Sequence, residues 1–144
     1  MILIDTPIWS LALRRRRRDL GHDEGRDVAE WERLVRAGIA GLIGPIRQEL
    51  LSGVRDERSW ERLRVALRPF PDLPMATEDY ERAAHFANRC RARGITGSAV
   101  DLLICAVSFR FAAPVYTTDT DFRRYAAVLG LDLHTARRRS AHPG

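Results

Sequence analysis

The chain opens with residues 2–7, ILIDTP, where a short apolar run is followed at once by an acid, a hydroxyl and a proline. An apolar run of this kind is typical of a strand buried in a parallel sheet. Pro7 favours the first turn of a helix, where its missing N–H needs no partner. Three later apolar segments predict further strands, at residues 39–43, 114–117 and 131–134. The opening therefore predicts a strand-to-helix unit with an acid at the turn.

Segments with apolar residues at helical spacing separate these strands. They predict helices over residues 7–13, 26–37, 44–53, 57–68, 78–93, 99–112 and 121–129. Strands that alternate with helices predict an α/β fold in three layers, with a central, mostly parallel sheet flanked by helices. The charged stretch 14–25 contains two glycines and predicts a loop. We expect a single domain over residues 1–136 and a disordered basic tail over residues 137–144.

Charge is unevenly distributed along the 144 residues. All 24 basic residues are arginine, and they outnumber the 19 acids to give a net charge of +5. Five of them form one run, Arg14, Arg15, Arg16, Arg17 and Arg18, which accounts for the whole excess. A pI near 10.2 is compatible with nucleic-acid binding, but one run of charge is weaker support than a basic face.

Composition also excludes several classes of protein. Cys90 and Cys105 are too few for a disulfide framework or a zinc site. The apolar stretch 6–13 is much shorter than the ~20 residues needed to cross a bilayer. Its arginines follow the apolar residues, the reverse of the order in a signal peptide. We expect a soluble protein of the reducing cytoplasm, with no membrane partner.

Four acids occupy positions that predict a shared site. Asp5 follows the first strand, and Asp119 follows the strand that ends at Thr117. The carboxyl ends of parallel strands are where ligands bind in open α/β sheets. Glu49 and Asp101 lie among apolar neighbours, where a charge is seldom left without a partner. Converging carboxylates resist ionising unless a cation lies among them, and Mg²⁺ or Mn²⁺ is the cation that oxygen ligands select.

Each acid also has a structural explanation. Ser98 with Asp101, and Thr118 with Asp121, have the spacing of a helix capping box. Asp5 would then be the N-cap of the first helix, Asp119 a turn residue and Glu49 a solvent-facing side chain. Spacing alone leaves the two interpretations about equal.

Four short motifs in order resemble a known family. They are Asp5-Thr6 after the apolar strand and residues 48–53 (QELLSG), 101–106 (DLLICA) and 117–122 (TTDTDF). Together they resemble a PIN-domain ribonuclease toxin of the VapC type, from type II toxin–antitoxin systems. The resemblance covers essentially the whole chain.

This resemblance implies a Mg²⁺-dependent endoribonuclease, in which Mn²⁺ can substitute, that arrests translation or growth until an antitoxin neutralises it. It also implies a small cognate antitoxin, a homodimer and a larger toxin–antitoxin complex. The implied catalytic acids are Asp5, Glu49, Asp101, Asp119 and Asp121, and all of them except Asp121 would be metal ligands. Thr6 and Thr117 match hydroxyl positions that orient ligands or water.

Alternatives remain at the level of sequence. A non-catalytic RNA- or partner-binding module could retain the same fold. A phosphatase built on Asp119 and Asp121 would need a matching lysine, which the chain lacks. The run Arg14–Arg18 is either a solvated loop or a phosphate-binding element that flanks the acidic pocket.

Overall fold

The computed structural model describes residues 1–137, so the predicted tail from residue 138 onward lies outside the described residues. Three short strands alternate with seven α-helices within that range. The strands are β1 (Ile2–Ile4), β2 (Ala40–Gly41) and β3 (Val115–Tyr116). The helices are α1 (Thr6–Arg14), α2 (His22–Arg36), α3 (Gly44–Ser52), α4 (Glu57–Leu67), α5 (Thr77–Ala92), α6 (Ala99–Phe111) and α7 (Asp121–Leu129).

The sheet is parallel, with β1 between β2 and β3. Leu3 faces Gly41 on one side and Val115 on the other. Two isolated bridges extend this arrangement, from Ile43 to Leu73 and from Val115 to Leu133. All strand pairs run the same way, so their carboxyl ends lie at one edge of the sheet, as the α/β prediction required.

Helices cover the sheet in two groups. α1 packs against α2, α3 and α4, whereas α5 packs against α6 and α7. The all-round apolar composition of residues 99–112 predicts a buried helix, and this is confirmed, because Leu102 and residues 104–108 of α6 are all buried. Trp9 is fully buried, and its indole N–H donates to the Ile4 carbonyl at 3.0 Å. The central strands and α6 therefore form a buried apolar core behind the carboxyl edge. No helix in residues 1–137 is long and apolar enough to span a membrane.

Three sequence predictions need correction. The stretch 14–25 is not simply a loop: Arg17–Asp19 forms a 3-10 turn, and α2 begins at His22, four residues earlier than expected. Glu24 starts that helix early, because its carboxylate accepts the Gly21 N–H at 3.1 Å. The segment 131–134 contributes one bridge rather than a strand.

The buried face of α5 also differs from the apolar spacing of residues 78–93, which predicts a stripe formed by Tyr80, Ala83, Ala84 and Ala87. Ala83, Phe86 and Cys90 are buried there, whereas Tyr80 and Ala84 of the expected stripe are exposed. Alanine spacing alone did not identify the face, because the larger apolar side chain of Phe86 gains more from burial than an alanine does.

Candidate active site

Asp5 lies at the centre of the candidate site. It follows β1, and its backbone N–H donates to the Tyr116 carbonyl of β3 at 2.9 Å, which ties it to the sheet edge. Its side chain is only 4% exposed. Oδ1 accepts the Thr6 N–H at 2.8 Å, and Oδ2 accepts the Thr117 hydroxyl at 2.7 Å. Asp5 is therefore the N-cap of α1 and also an acid at the predicted site, so the two interpretations coincide.

Thr6 and Thr117 connect neighbouring acids. The Thr6 hydroxyl donates to Glu49 Oε2 at 2.7 Å, linking α1 to the exposed end of that α3 side chain. The Thr117 hydroxyl accepts the Asp119 N–H at 3.0 Å while it donates to Asp5. Both threonines thus hold carboxylate-bearing segments in place, at the positions for which the sequence resemblance implied an orienting role.

Asp101 enters the site from the first turn of α6. Its N–H donates to the Ser98 hydroxyl at 3.1 Å, so one half of the predicted capping box is present. Its carboxylate, however, accepts the Tyr125 hydroxyl at 3.1 Å. Tyr125 is 1% exposed and was not predicted as a site residue. In the sequence it looks like a core aromatic, and only packing reveals its hydroxyl beside an acid.

Asp119 and Asp121 behave differently from each other. Asp119 Oδ1 accepts the Asp121 N–H at 2.9 Å and so supports the start of α7. The capping box expected from Thr118 does not form, because Thr120 is the N-cap and makes no side-chain cap bond. Asp121 turns its carboxylate to Arg124, 2.7 Å away. The structure thus groups Asp119 with the other acids and gives Asp121 a cation of its own.

Electrostatics mark the same group of acids. Burial, with smaller contributions from the nearby charges of Asp101 and Glu49, raises the pKa of Asp5 to about 6 against the opposing hydrogen bonds. Burial likewise raises the pKa of Asp101, with Asp119 and Glu49 adding to the effect. Within residues 1–137, none of these four acids forms an ion pair with a basic side chain. The site therefore concentrates negative charge that no basic side chain within residues 1–137 neutralises.

The donor set suits a hard divalent cation, because it consists of carboxylate and hydroxyl oxygens from four segments of the chain. Across residues 1–137, no three acidic, histidine or cysteine side chains are close enough together to hold a metal ion as they stand. The acids are grouped, but their oxygens are directed to Thr6, Thr117 and Tyr125 rather than to one common point.

The arginine run lies at the other end of α1. Arg14 ends that helix, and its guanidinium donates to the Gly53 carbonyl at 3.4 Å, just beyond α3. Arg15 lies 3.9 Å from Glu24, and Arg17 pairs with Glu32. All five arginines are exposed. The run is therefore partly tied to α2, and its first member reaches the end of the helix that carries Glu49.

A family model for the PIN domain matches residues 2–128. The chain belongs to the PIN-domain family. Ribonuclease VapC51 of Mycobacterium tuberculosis (strain ATCC 25618 / H37Rv) is 28% identical over 117 residues, which cover 72% of this chain and 85% of that protein. The sequence resemblance to the PIN family is thus confirmed over most of the chain.

Solved structures agree with this assignment of the fold. The chain matches the crystal structure of FitAcB from Neisseria gonorrhoeae with a TM-score of 0.74 and 22% identity, covering 94% of this chain and 98% of that one. It matches a toxin–antitoxin complex from Klebsiella pneumoniae with a TM-score of 0.64 and 18% identity, covering 91% and 95%. At these identities the matches establish the PIN fold.

Proposed function

We propose that this PIN-domain protein is a metal-dependent endoribonuclease and the toxin of a toxin–antitoxin pair. The observation that carries the proposal is the grouping of Asp5, Glu49, Asp101 and Asp119 at one sheet edge with no basic partner in residues 1–137. Asp5 is buried and Asp101 and Asp119 are half-buried, and carboxylates grouped in this way without a cation are costly to fold, so they point to a ligand that supplies positive charge.

Mg²⁺ is the proposed cofactor, with Mn²⁺ able to replace it, and these four carboxylates are the residues that would hold it. When bound, the ion supplies positive charge to the scissile phosphate and makes a neighbouring water more acidic. Thr117 orients Asp5, Thr6 orients Glu49, and Tyr125 orients Asp101. These contacts fix which carboxylate oxygens stay available.

The acids, and not the histidines, are the groups that would act on water at the phosphodiester bond. His134 does not serve as a base in the site, because it is paired with Glu30 at 2.7 Å. His85 is an exposed side chain of α5. The acids must therefore position water and accept charge without help from these two imidazoles. In this proposal Asp121 is not one of the metal ligands, since Arg124 already pairs with its carboxylate.

The proposed partners are RNA and a small antitoxin, with homodimerisation and a larger toxin–antitoxin complex. The support for them is that a similar protein is named a ribonuclease and that a structure with the same fold is a toxin–antitoxin complex. We place the protein in the cytoplasm, where such substrates occur.

Expression in a bacterium tests the proposal. Induced wild-type protein should arrest growth and produce new RNA ends, whereas Asp5→Ala should do neither at equal protein level. Coexpression of the product of an adjacent short reading frame should restore growth. Normal growth with wild type, or equal arrest by Asp5→Ala, would contradict the proposal.

Purified protein separates an enzyme from a binding module with the same fold. RNA should be cleaved with Mg²⁺ or Mn²⁺ and left intact with a chelator. Metal-independent RNA binding without cleavage would favour the non-catalytic module instead.

A further inference from the structure

A cavity of about 560 Å³ opens where the end of α1 meets α4. Its polar lining comprises four guanidinium groups and one hydroxyl, from Arg14, Arg15, Arg16, Arg62 and Ser59. Within residues 1–137 it has no carboxylate in its lining. Its size lies within the about 300–1,000 Å³ typical of ligand clefts.

Most of this positive charge is uncompensated by the described residues. Arg14, Arg16 and Arg62 form no ion pair within residues 1–137, and Arg15 has only a long contact of 3.9 Å to Glu24. Arg62 donates to the Ser59 hydroxyl at 3.2 Å. The carboxylate of Asp56, at the start of α4, accepts the Ser59 N–H as the N-cap of that helix. Hydrogen bonds from Ser59 lower the pKa of Asp56, and the charge of Arg62 is close enough to add to this effect. The cavity therefore has hydrogen-bond donors and enough positive charge to bind an anion that carries more than one negative charge.

A second cavity lies beside Glu49, one of the four acids. It is lined by Gln48, Glu49, Ser52, Gly53 and Val100, with Pro45 at its edge, and has a volume of about 410 Å³. Gly53 is also the residue whose carbonyl accepts from Arg14. The surface thus continues from Glu49, past Gly53, to the arginine-lined cavity. Arg14 follows Thr6 by eight positions in α1, which corresponds to about 12 Å along the helix.

We propose that the arginine-lined cavity binds the phosphodiester backbone of an RNA strand a few nucleotides from the bond held at the acidic site. This inference rests on the proposed ribonuclease function. Guanidinium groups bind phosphate through paired N–H donors, and backbone contacts position a strand without reading its sequence. The cavity offsets the repulsion that the acids exert on RNA. Only part of the arginine run lines the cavity, because Arg17 and Arg18 do not. Arg62 and Ser59 of α4 complete the set of residues proposed to contact RNA.

Equilibrium RNA binding tests the inference. All proteins carry Asp101→Asn to prevent cleavage, and fluorescence anisotropy of a labelled single-stranded RNA is measured over a range of salt. Arg16→Gln and Arg62→Gln should each raise Kd several-fold, and the double variant about tenfold. Each should lower the magnitude of the slope of log K against log salt by about 0.7, the value for one phosphate contact with a single strand.

Arg36→Gln is the matched control. Arg36 is an exposed arginine at the end of α2, before β2, and has no ion pair within residues 1–137. This substitution removes the same charge at a residue that does not line the cavity, and it should change neither Kd nor the salt slope. Equal effects of Arg36→Gln and Arg62→Gln would overturn the proposal, as would unchanged binding by the double variant. A further outcome would also overturn the proposal: the double variant loses the binding of a polyglutamate peptide that wild type shows but still binds RNA. That result would favour an acidic peptide as the ligand of the cavity.

Cleavage assays keep this inference separate from the proposed function. With Asp101 intact, the double variant should show a higher KM for a long RNA and a similar kcat, and little change for an oligonucleotide too short to reach the cavity. If the double variant cleaves RNA as wild type does, the RNA-binding role of the cavity is refuted, but the proposed ribonuclease function is not. If wild type cleaves no RNA while binding still depends on Arg16 and Arg62, the proposed function fails and the cavity stands as an RNA site.

Discussion

Asp5 and Asp79 are buried to similar extents, 4% and 1% exposed, but the protein compensates their charges in opposite ways. Asp79 receives two hydrogen bonds of 2.8 Å from Arg110 and one from the Ala76 N–H. Burial opposes its ionisation, but these bonds hold its pKa below the ordinary value. Within residues 1–137, Asp5 has neutral donors and acidic neighbours but no cation, and its pKa rises to about 6. Among residues 1–137, the arginine partner of Asp79 marks a buried acid that supports the fold, whereas the lack of one at Asp5 marks a buried acid of the candidate site.

Glu30 is a second buried acid that, like Asp79, is paired with an arginine. Hydrogen bonds from Arg33 lower its pKa to about 2, with burial opposing the shift and His134 adding to it. It links α2 to residue 134 beyond the sheet, so it joins two parts of the chain far apart in sequence. Paired acids of this kind stabilise the fold, whereas the acids around Asp5 reduce stability until a cation binds.

The largest expected effect concerns activity. Asp101→Asn should abolish Mg²⁺-dependent RNA cleavage, with a loss greater than the roughly 10–100-fold typical of residues that only support a metal ligand. The fold should remain intact, because the amide can still accept from Tyr125. Cleavage rate and circular dichroism measure the two properties. Full activity in the folded variant would show that Asp101 is not part of the site.

Breaking a structural pair should affect stability instead. Arg110→Met leaves Asp79 buried without its cation and should lower the free energy of unfolding by about 2–3 kcal/mol. Urea denaturation measures it. Arg124→Met is the control, since its solvent-exposed pair with Asp121 should contribute little to the free energy of unfolding. Equal losses from both variants would remove the distinction between buried and exposed pairs.

The two kinds of acid should also respond oppositely to pH in the absence of metal. The raised pKa of Asp5 means that the folded state retains a proton which the unfolded state has lost, so its contribution falls as the pH rises from about 4 through about 6. The lowered pKa of Glu30 means that its contribution is present above about 4.5 and is lost as the pH falls through about 2.

Two variants make this measurable. With a chelator present, Asp5→Asn should gain about 1–2 kcal/mol of unfolding free energy relative to wild type between pH 4.5 and pH 7. Glu30→Gln should lose stability at both pH values. A pH-independent difference between Asp5→Asn and wild type would mean that Asp5 does not titrate in this range.

The smallest expected effect concerns Tyr125. Tyr125→Phe removes only the hydroxyl that donates to Asp101. It should weaken Mg²⁺ affinity and RNA cleavage by roughly tenfold or less, as expected for a residue that positions a ligand. Isothermal titration with Mg²⁺ distinguishes this role from a purely structural one. Tyr116→Phe, which removes a hydroxyl bonded to Asp27 away from the acids, is the control and should leave Mg²⁺ affinity unchanged.

Local patterns predicted much of the fold. The spacing of apolar residues and the positions of proline and glycine located α1 and α3 to α7 to within a residue or so, because helix ends depend on nearby side chains. The early start of α2 was missed because Glu24 caps it from within a charged stretch. The last strand was overpredicted because Leu131 and Leu133 are apolar, although only one bridge forms.

The sequence alone determined the order of strands and helices, the four acids at strand and helix ends, and the resemblance to PIN domains. These depend on short-range periodicity and on motifs that do not require knowledge of contacts. Tertiary structure alone decided which acids acquire an arginine, that Tyr125 reaches Asp101, and that Arg62 joins three residues of the arginine run. Pairing of this kind depends on distances between segments far apart in the chain, and local periodicity carries no record of those distances.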